Sequence, residues 1–127
     1  MKTLMPVILV AVGGAVGAVA RFGLSGFVQG NRVGFPFGTL VVNLIGCLAM
    51  GFLARWVEVG IASPQLRLLL GLGFLGGFTT FSSFSFEALN LYLNHNVIGS
   101  LLYVAASMVG CLALVTFGYM IARYIWG

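Results

Sequence analysis

Between Gly73 and Ala88 the chain reads GFLGGFTTFSSFSFEA, and its polar side chains recur at helical spacing. Thr80, Ser83 and Glu87 fall on one helix face, because residues three and four apart sit one above the other. Phe81 and Phe84, three apart, share the adjoining face. An aromatic ring is negative on its face and positive at its edge. Ring edges can therefore touch an anion without presenting a full charge that would trap it, and hydroxyls alongside can replace lost hydration. The competing reading is ordinary aromatic packing, which accounts for most phenylalanines at helical spacing.

The residues just before this face disfavour a helix. Glycine costs about 1 kcal/mol relative to alanine in a helix interior, and Gly76-Gly77 is followed by the β-branched pair Thr79-Thr80. The pattern predicts an interruption around residues 76–80. Backbone groups freed at membrane depth are tolerated only where protein or a cavity receives them. Helix ends of this kind form ion sites, with carbonyls facing cations and amide ends favouring anions.

Two further polar stripes lie elsewhere. Thr39 and Asn43 are four apart, with Gly46 and Cys47 continuing their face; Tyr103, Ser107 and Cys111 follow at successive i, i+4 steps. Thr39 and Ser107 have a structural reading, since an isolated hydroxyl can bond its own i−4 carbonyl. Asn43 has no such escape, because its amide needs partners for two donors and a carbonyl. Glu87 follows Ser83 by four residues, which predicts that this hydroxyl holds it. Glu58 is expected to face a loop, and Arg21 is either a snorkelling anchor or a cation in a vestibule that attracts anions. Cys47 and Cys111 read as small apolar packing. No CxxC or Cys/His cluster accompanies them, and His95 stands alone in a predicted loop, so the cysteines carry no metal signature along the sequence.

The elements that must position these residues follow from composition. Of 127 residues 61% are hydrophobic and 6% charged, with a mean hydropathy of +1.13. Soluble domains carry about 25% charged residues, so six basic and two acidic side chains cannot cover a globule facing water. A membrane-crossing helix needs roughly 20 apolar residues. The apolar runs predict four spans at Leu4–Phe27, Gly38–Trp56, Leu66–Leu93 and Val97–Trp126, in one domain over residues 1–127. Their continuity argues against a β-barrel, whose strands alternate. The opening run, with Lys2 and Ala18-Val19-Ala20, has features of a signal peptide but the length of a full span. Gly13-x-x-x-Gly17, Gly73-x-x-x-Gly77 and Ala106-x-x-x-Gly110 predict close helix contacts and self-association.

Four spans place both termini on one side, together with Lys2, Arg55, Arg67 and Arg123; Arg21 and Arg32 fall on the other. Basic residues near span ends set orientation. This bias is compatible with a single orientation, termini inside, or with insertion both ways and an antiparallel homodimer. No basic run interleaved with aromatics suggests nucleic acid, and no enzymatic activity is expected.

GAVARFGLS at 17–25, GTLVVNLIG at 38–46 and GFLGGFTTFSSFSFE at 73–87 closely resemble the Fluc (CrcB) family of fluoride channels, with YVAASMVGC at 103–111 a weaker match. The resemblance implies an all-α membrane protein with four transmembrane helices per subunit, the third broken near its middle. It further implies an antiparallel, dual-topology homodimer in lipid, multi-pass in the plasma (inner) membrane, with two fluoride pores and a structural sodium ion at its centre. By motif, Phe81 and Phe84 resemble the phenylalanine pair contacting fluoride, and Asn43 the span-two asparagine that orients around the rings. Gly76 and Thr79 resemble the carbonyl donors to sodium, and Arg21 the vestibule arginine. Thr39, Ser83, Glu87, Tyr103 and Ser107 resemble the polar track, and Thr80 joins the expected fluoride pathway by sharing the face of Ser83 and Glu87. Two positions depart from the family: Cys111 where span four has Ser, and Ser83 where Thr is usual. A thiol is the poorer donor.

The alternative is a small dual-topology, proton-coupled cation or drug exporter, which needs an acidic residue in mid-span, where the first span has none and Glu87 is expected near a helix end; a third reading is a non-transporting assembly subunit. Spacing alone does not choose among small anions, and only the resemblance names fluoride.

Overall fold

A computed structural model describes residues 4–127 of the chain as helices joined by short connections. Lys2, counted above for orientation, lies outside the described residues. Helix α1 is Leu4–Gln29 and α2 is Phe37–Glu58. The third span, Pro64–Leu93, consists of two arms: α3, residues 64–78, and α4, Phe81–Leu93. Helix α5 is Val97–Trp126. All four predicted spans are present, the first three slightly longer than the apolar runs suggested. Glu58 closes α2 at the start of the following connection; its carboxylate meets Arg55 at 3.2 Å and accepts from the Tyr119 hydroxyl at 2.5 Å.

Capping residues define where the helices start. The Ser63 hydroxyl accepts the Leu66 N–H at 3.2 Å, with Pro64 at the first helical position, where its missing donor costs nothing. The Asn96 side chain accepts the Gly99 N–H at 2.9 Å and opens α5. Between α1 and α2, Gln29 ties the turn: its Nε2 donates to the Arg32 and Phe35 carbonyls, and its Oε1 accepts from Gly38 N–H.

Two glycine seams bring the helices together. In the first, Gly13 and Gly17 of α1 press against Gly73 and Phe74 of α3, and Gly14 against Gly77. A Cβ on Gly17 would overlap the Phe74 carbonyl oxygen, and one on Gly73 would stand 3.0 Å from the Gly13 Cα. In the second, Gly51 of α2 lies under the Val115 carbonyl and Gly118 of α5 under the Leu48 carbonyl. The small residues do what close helix approach in lipid requires. Because the opposing atoms are backbone, they cannot rotate aside. Gly17→Val is therefore expected to destabilise the fold by about 3 kcal/mol or more, at the upper end of overpacking. Thermal unfolding in detergent checks this, with an unchanged midpoint as the contrary result.

The glycine pair is not the break. Gly76 keeps helical dihedrals (φ −64°, ψ −37°), and Gly76–Phe78 completes α3. The extended residues are Thr79 (φ −82°, ψ 156°) and Thr80 (φ −148°, ψ 122°). Propensity placed the interruption correctly, and of the two causes it named the β-branched pair takes the extended backbone while the glycines stay helical, Gly77 against Gly14 of α1. Residues 67–75 also run as a wide, i→i+5 bonded helix. No residue pattern marked that in advance.

In the most apolar window of both α1 and α5 only 11% of residues are buried, against 39% in α2. One chain thus leaves most of its apolar surface uncovered, for lipid or a second copy to occupy.

Candidate functional site

The break at Thr79-Thr80 organises the site. Asn43, buried on α2, faces the Thr80 peptide and bonds both its ends: Oδ1 accepts the Thr80 N–H at 2.8 Å, and Nδ2 donates to the Thr80 carbonyl at 3.0 Å. A side-chain amide thus replaces the helical partners that extended backbone gives up. Thr80 then caps α4, its Oγ1 accepting from Ser83 N–H at 3.2 Å. The same hydroxyl donates to Ser83 Oγ, also at 3.2 Å.

These bonds divert specific donors. A continuous helix would send the Thr80 N–H to the Gly76 carbonyl and the Ser83 N–H to that of Thr79. Here the first goes to Asn43 and the second to Thr80 Oγ1. The carbonyls of Gly76 and Thr79 are left without their helical donors.

Glu87 lies inside α4, not at a helix end, and Ser83 does not hold it. Its partners come from two other helices: Thr39 Oγ1 donates to Oε1 and the Tyr103 hydroxyl to Oε2, each at 2.7 Å. Helical spacing within one element could not reveal partners from α2 and α5. Both carboxylate oxygens are engaged. Glu87→Gln would turn one acceptor into a donor and is expected to cost about 1.5–3 kcal/mol, the range for bonds to a charged group. A thermal midpoint equal to the parent's would refute it.

The two rings are neighbours, with centroids 5.4 Å apart and planes tilted by 51°. Phe84 is buried at 7% exposure and meets Tyr103 at 5.3 Å, whereas Phe81 is 73% exposed. One ring is fixed inside the bundle and the other projects from the single chain.

Two cavities flank this arrangement. One, of about 450 Å³, is lined by Arg21, Phe22, Ser25, Gln29, Thr39, Thr80, Ser83 and Glu87 among others. The other, of about 270 Å³, is lined by Asn43, Cys47, Thr79, Thr80, Phe81, Phe84, Ser107, Met108, Cys111 and Leu112. Thr80 borders both. Tyr103 joins the two groups through its hydroxyl on Glu87 and its ring on Phe84. The structure thereby gathers Arg21, Thr39, Thr80, Ser83 and Glu87 on one side and Asn43, Phe81, Phe84 and Ser107 on the other. Ser107 Oγ is buried and without a protein partner. Ser107 therefore does not satisfy itself on its i−4 carbonyl, and its hydroxyl keeps a donor for a small guest. Ser25 and Gln29 were not singled out in the sequence, where each read as a solitary polar residue near a span end.

The sequence model of the family described as CrcB-like protein, Camphor Resistance (CrcB), matches residues 8–119. Among similar proteins, the fluoride-specific ion channel FluC of Chlorobium phaeobacteroides is 45% identical over 120 residues, covering 94% of this chain and 93% of that protein. A FluC of Thermus thermophilus is 43% identical over 121 residues, 94% of this chain and 95% of its own length. That of Nitratidesulfovibrio vulgaris is 41% identical over 121 residues, with coverage of 94% and 98%. The range of the family model reaches all four apolar helices. The chain belongs to the CrcB family.

Proposed function

We propose that the chain is a fluoride-selective channel that lets fluoride leave the cytoplasm passively across the plasma (inner) membrane, as an antiparallel, dual-topology homodimer with two pores. The observation that carries this reading is the buried Ser107 hydroxyl, unpartnered in a cavity shared with Phe81, Phe84 and Thr80. Its donor and the ring edges offer a small anion partial positive charge without a counter-ion to hold it. The relatives named as fluoride-specific channels supply the choice of anion.

Fluoride enters cells as neutral HF and ionises inside. An inside-negative potential, at about 2.3 kcal/mol per charge per 100 mV, then drives the anion outward through a pore. Arg21 at the first cavity would raise the local anion concentration. Phe81, 73% exposed on one chain, suits a position against a second copy.

A sodium ion at the centre of the dimer fits the donor set. Sodium takes oxygen ligands, and the Gly76 and Thr79 carbonyls lack their helical donors through the diversions to Asn43 and Thr80. Two copies would supply four such oxygens. Bound there, the ion would lock the two breaks together. Sodium-free preparation is expected to lower the dimer's thermal midpoint, with recovery on adding sodium but not the larger caesium; equal midpoints in all three would remove the ion from this account.

Efflux from liposomes with equal pH on both sides, started by a potassium ionophore, tests the channel reading against a proton-coupled exporter. A channel passes fluoride without a pH gradient. Flux that appears only with such a gradient, or efflux of organic cations, would favour the exporter.

A further inference from the structure

The cavity holding Ser107 also collects sulfur. Cys47 comes from α2 and Cys111 from α5; both are free, and both line the cavity. Met108 lines it too and, three residues before Cys111, shares that face of α5. The backbone beneath is rigid, because Gly51 and Gly118 lock α2 against α5 just beyond the thiols and Gly110 packs on Leu44 beside them. The sulfurs are therefore presented across a fixed seam. No carboxylate or imidazole lines the cavity to favour a hard cation.

Two thiols and a thioether form a soft donor set, of the kind that selects monovalent coinage metals over sodium, magnesium or calcium. We infer that Cys47, Cys111 and Met108 form a binding site for a soft monovalent metal ion of the Cu(I)/Ag(I) class, placed so that the bound ion obstructs the cavity beside Phe84. On binding, each thiol gives its proton to solvent and its sulfur to the metal. The bis-thiolate complex carries one net negative charge, so it repels an approaching anion as well as filling space. Only the obstruction rests on the channel reading; the binding site stands on the sulfurs alone.

Silver nitrate titrated into purified protein in chloride-free detergent tests the site. The expected result is a thiolate-to-silver ultraviolet absorption that saturates at about one Ag⁺ per chain with release of protons. Cys47→Ser or Cys111→Ser should abolish it, and Met108→Leu should weaken it. Binding as tight in the doubly substituted chain, or no absorption in the parent, would overturn the site. In liposomes, Ag⁺ should stop fluoride efflux by the parent and spare the double variant, each compared with its own silver-free rate. Silver bound with flux undiminished would overturn the obstruction. A parent with no fluoride flux would count against the channel reading and not the site, since the absorption needs no flux.

Discussion

Asn43→Ala is expected to stop fluoride efflux and to lower stability by about 2–6 kcal/mol. The magnitude follows from two buried backbone groups left unpaired, at about 1–3 kcal/mol each. Asn43 Oδ1 and Nδ2 are the partners found for the Thr80 N–H and carbonyl, and both residues are buried. Without the clamp, the cheapest repair is for Thr80 to return to helical dihedrals. That repair straightens the third span, returns a donor to the Gly76 carbonyl and removes the Thr80 cap from α4. Loss of flux and loss of stability should therefore move together. Asn43→Asp keeps the acceptor for the Thr80 N–H but not the donor to its carbonyl, so it should fall between. Flux at the parent level in Asn43→Ala would show that the break does not depend on the clamp.

Phe84→Ile should instead separate the two readouts. If a ring edge lowers the barrier for an anion by about 1.5 kcal/mol, losing it slows conduction about tenfold or more. Isoleucine fills most of the buried volume and leaves the hydrogen-bond framework of Thr39, Asn43 and Glu87 untouched, so the proposed dimer should persist. Phe81→Ile should cut flux similarly at little cost to the fold of one chain, because that ring is 73% exposed. Liposome flux set beside size-exclusion elution distinguishes these outcomes. Parent-level flux in both variants would take the rings out of the mechanism.

Much of this was legible in the sequence because local pattern decided it. The four spans follow from the length of apolar runs, and the Gly13/Gly17 and Gly73/Gly77 pairs marked one seam from spacing alone. The polar stripes on α2 and α5 were visible for the same reason: i, i+4 spacing fixes a face. What local pattern cannot give is who faces whom. Ser83 was expected to hold Glu87, yet Thr39 and Tyr103 reach it from two other helices. Gly76-Gly77 looked like part of the interruption because glycine is a poor helix former, but both stay helical, Gly77 packed against Gly14, and the break falls on Thr79-Thr80 alone. Cys47 and Cys111 carried no metal spacing along the chain, and only the α2–α5 packing brings them to one cavity. The identity of the anion had no local signature at all and came from resemblance.

The central claim is that the donors and ring edges between Arg21 and Ser107 conduct fluoride selectively. The most direct measurement loads the same liposomes with fluoride and chloride and follows both anions with selective electrodes after the purified chain is reconstituted alone. Rapid fluoride release, with chloride retained as in empty liposomes, is the predicted result. Fluoride release no faster than from empty liposomes, or chloride released alongside it, would contradict the account.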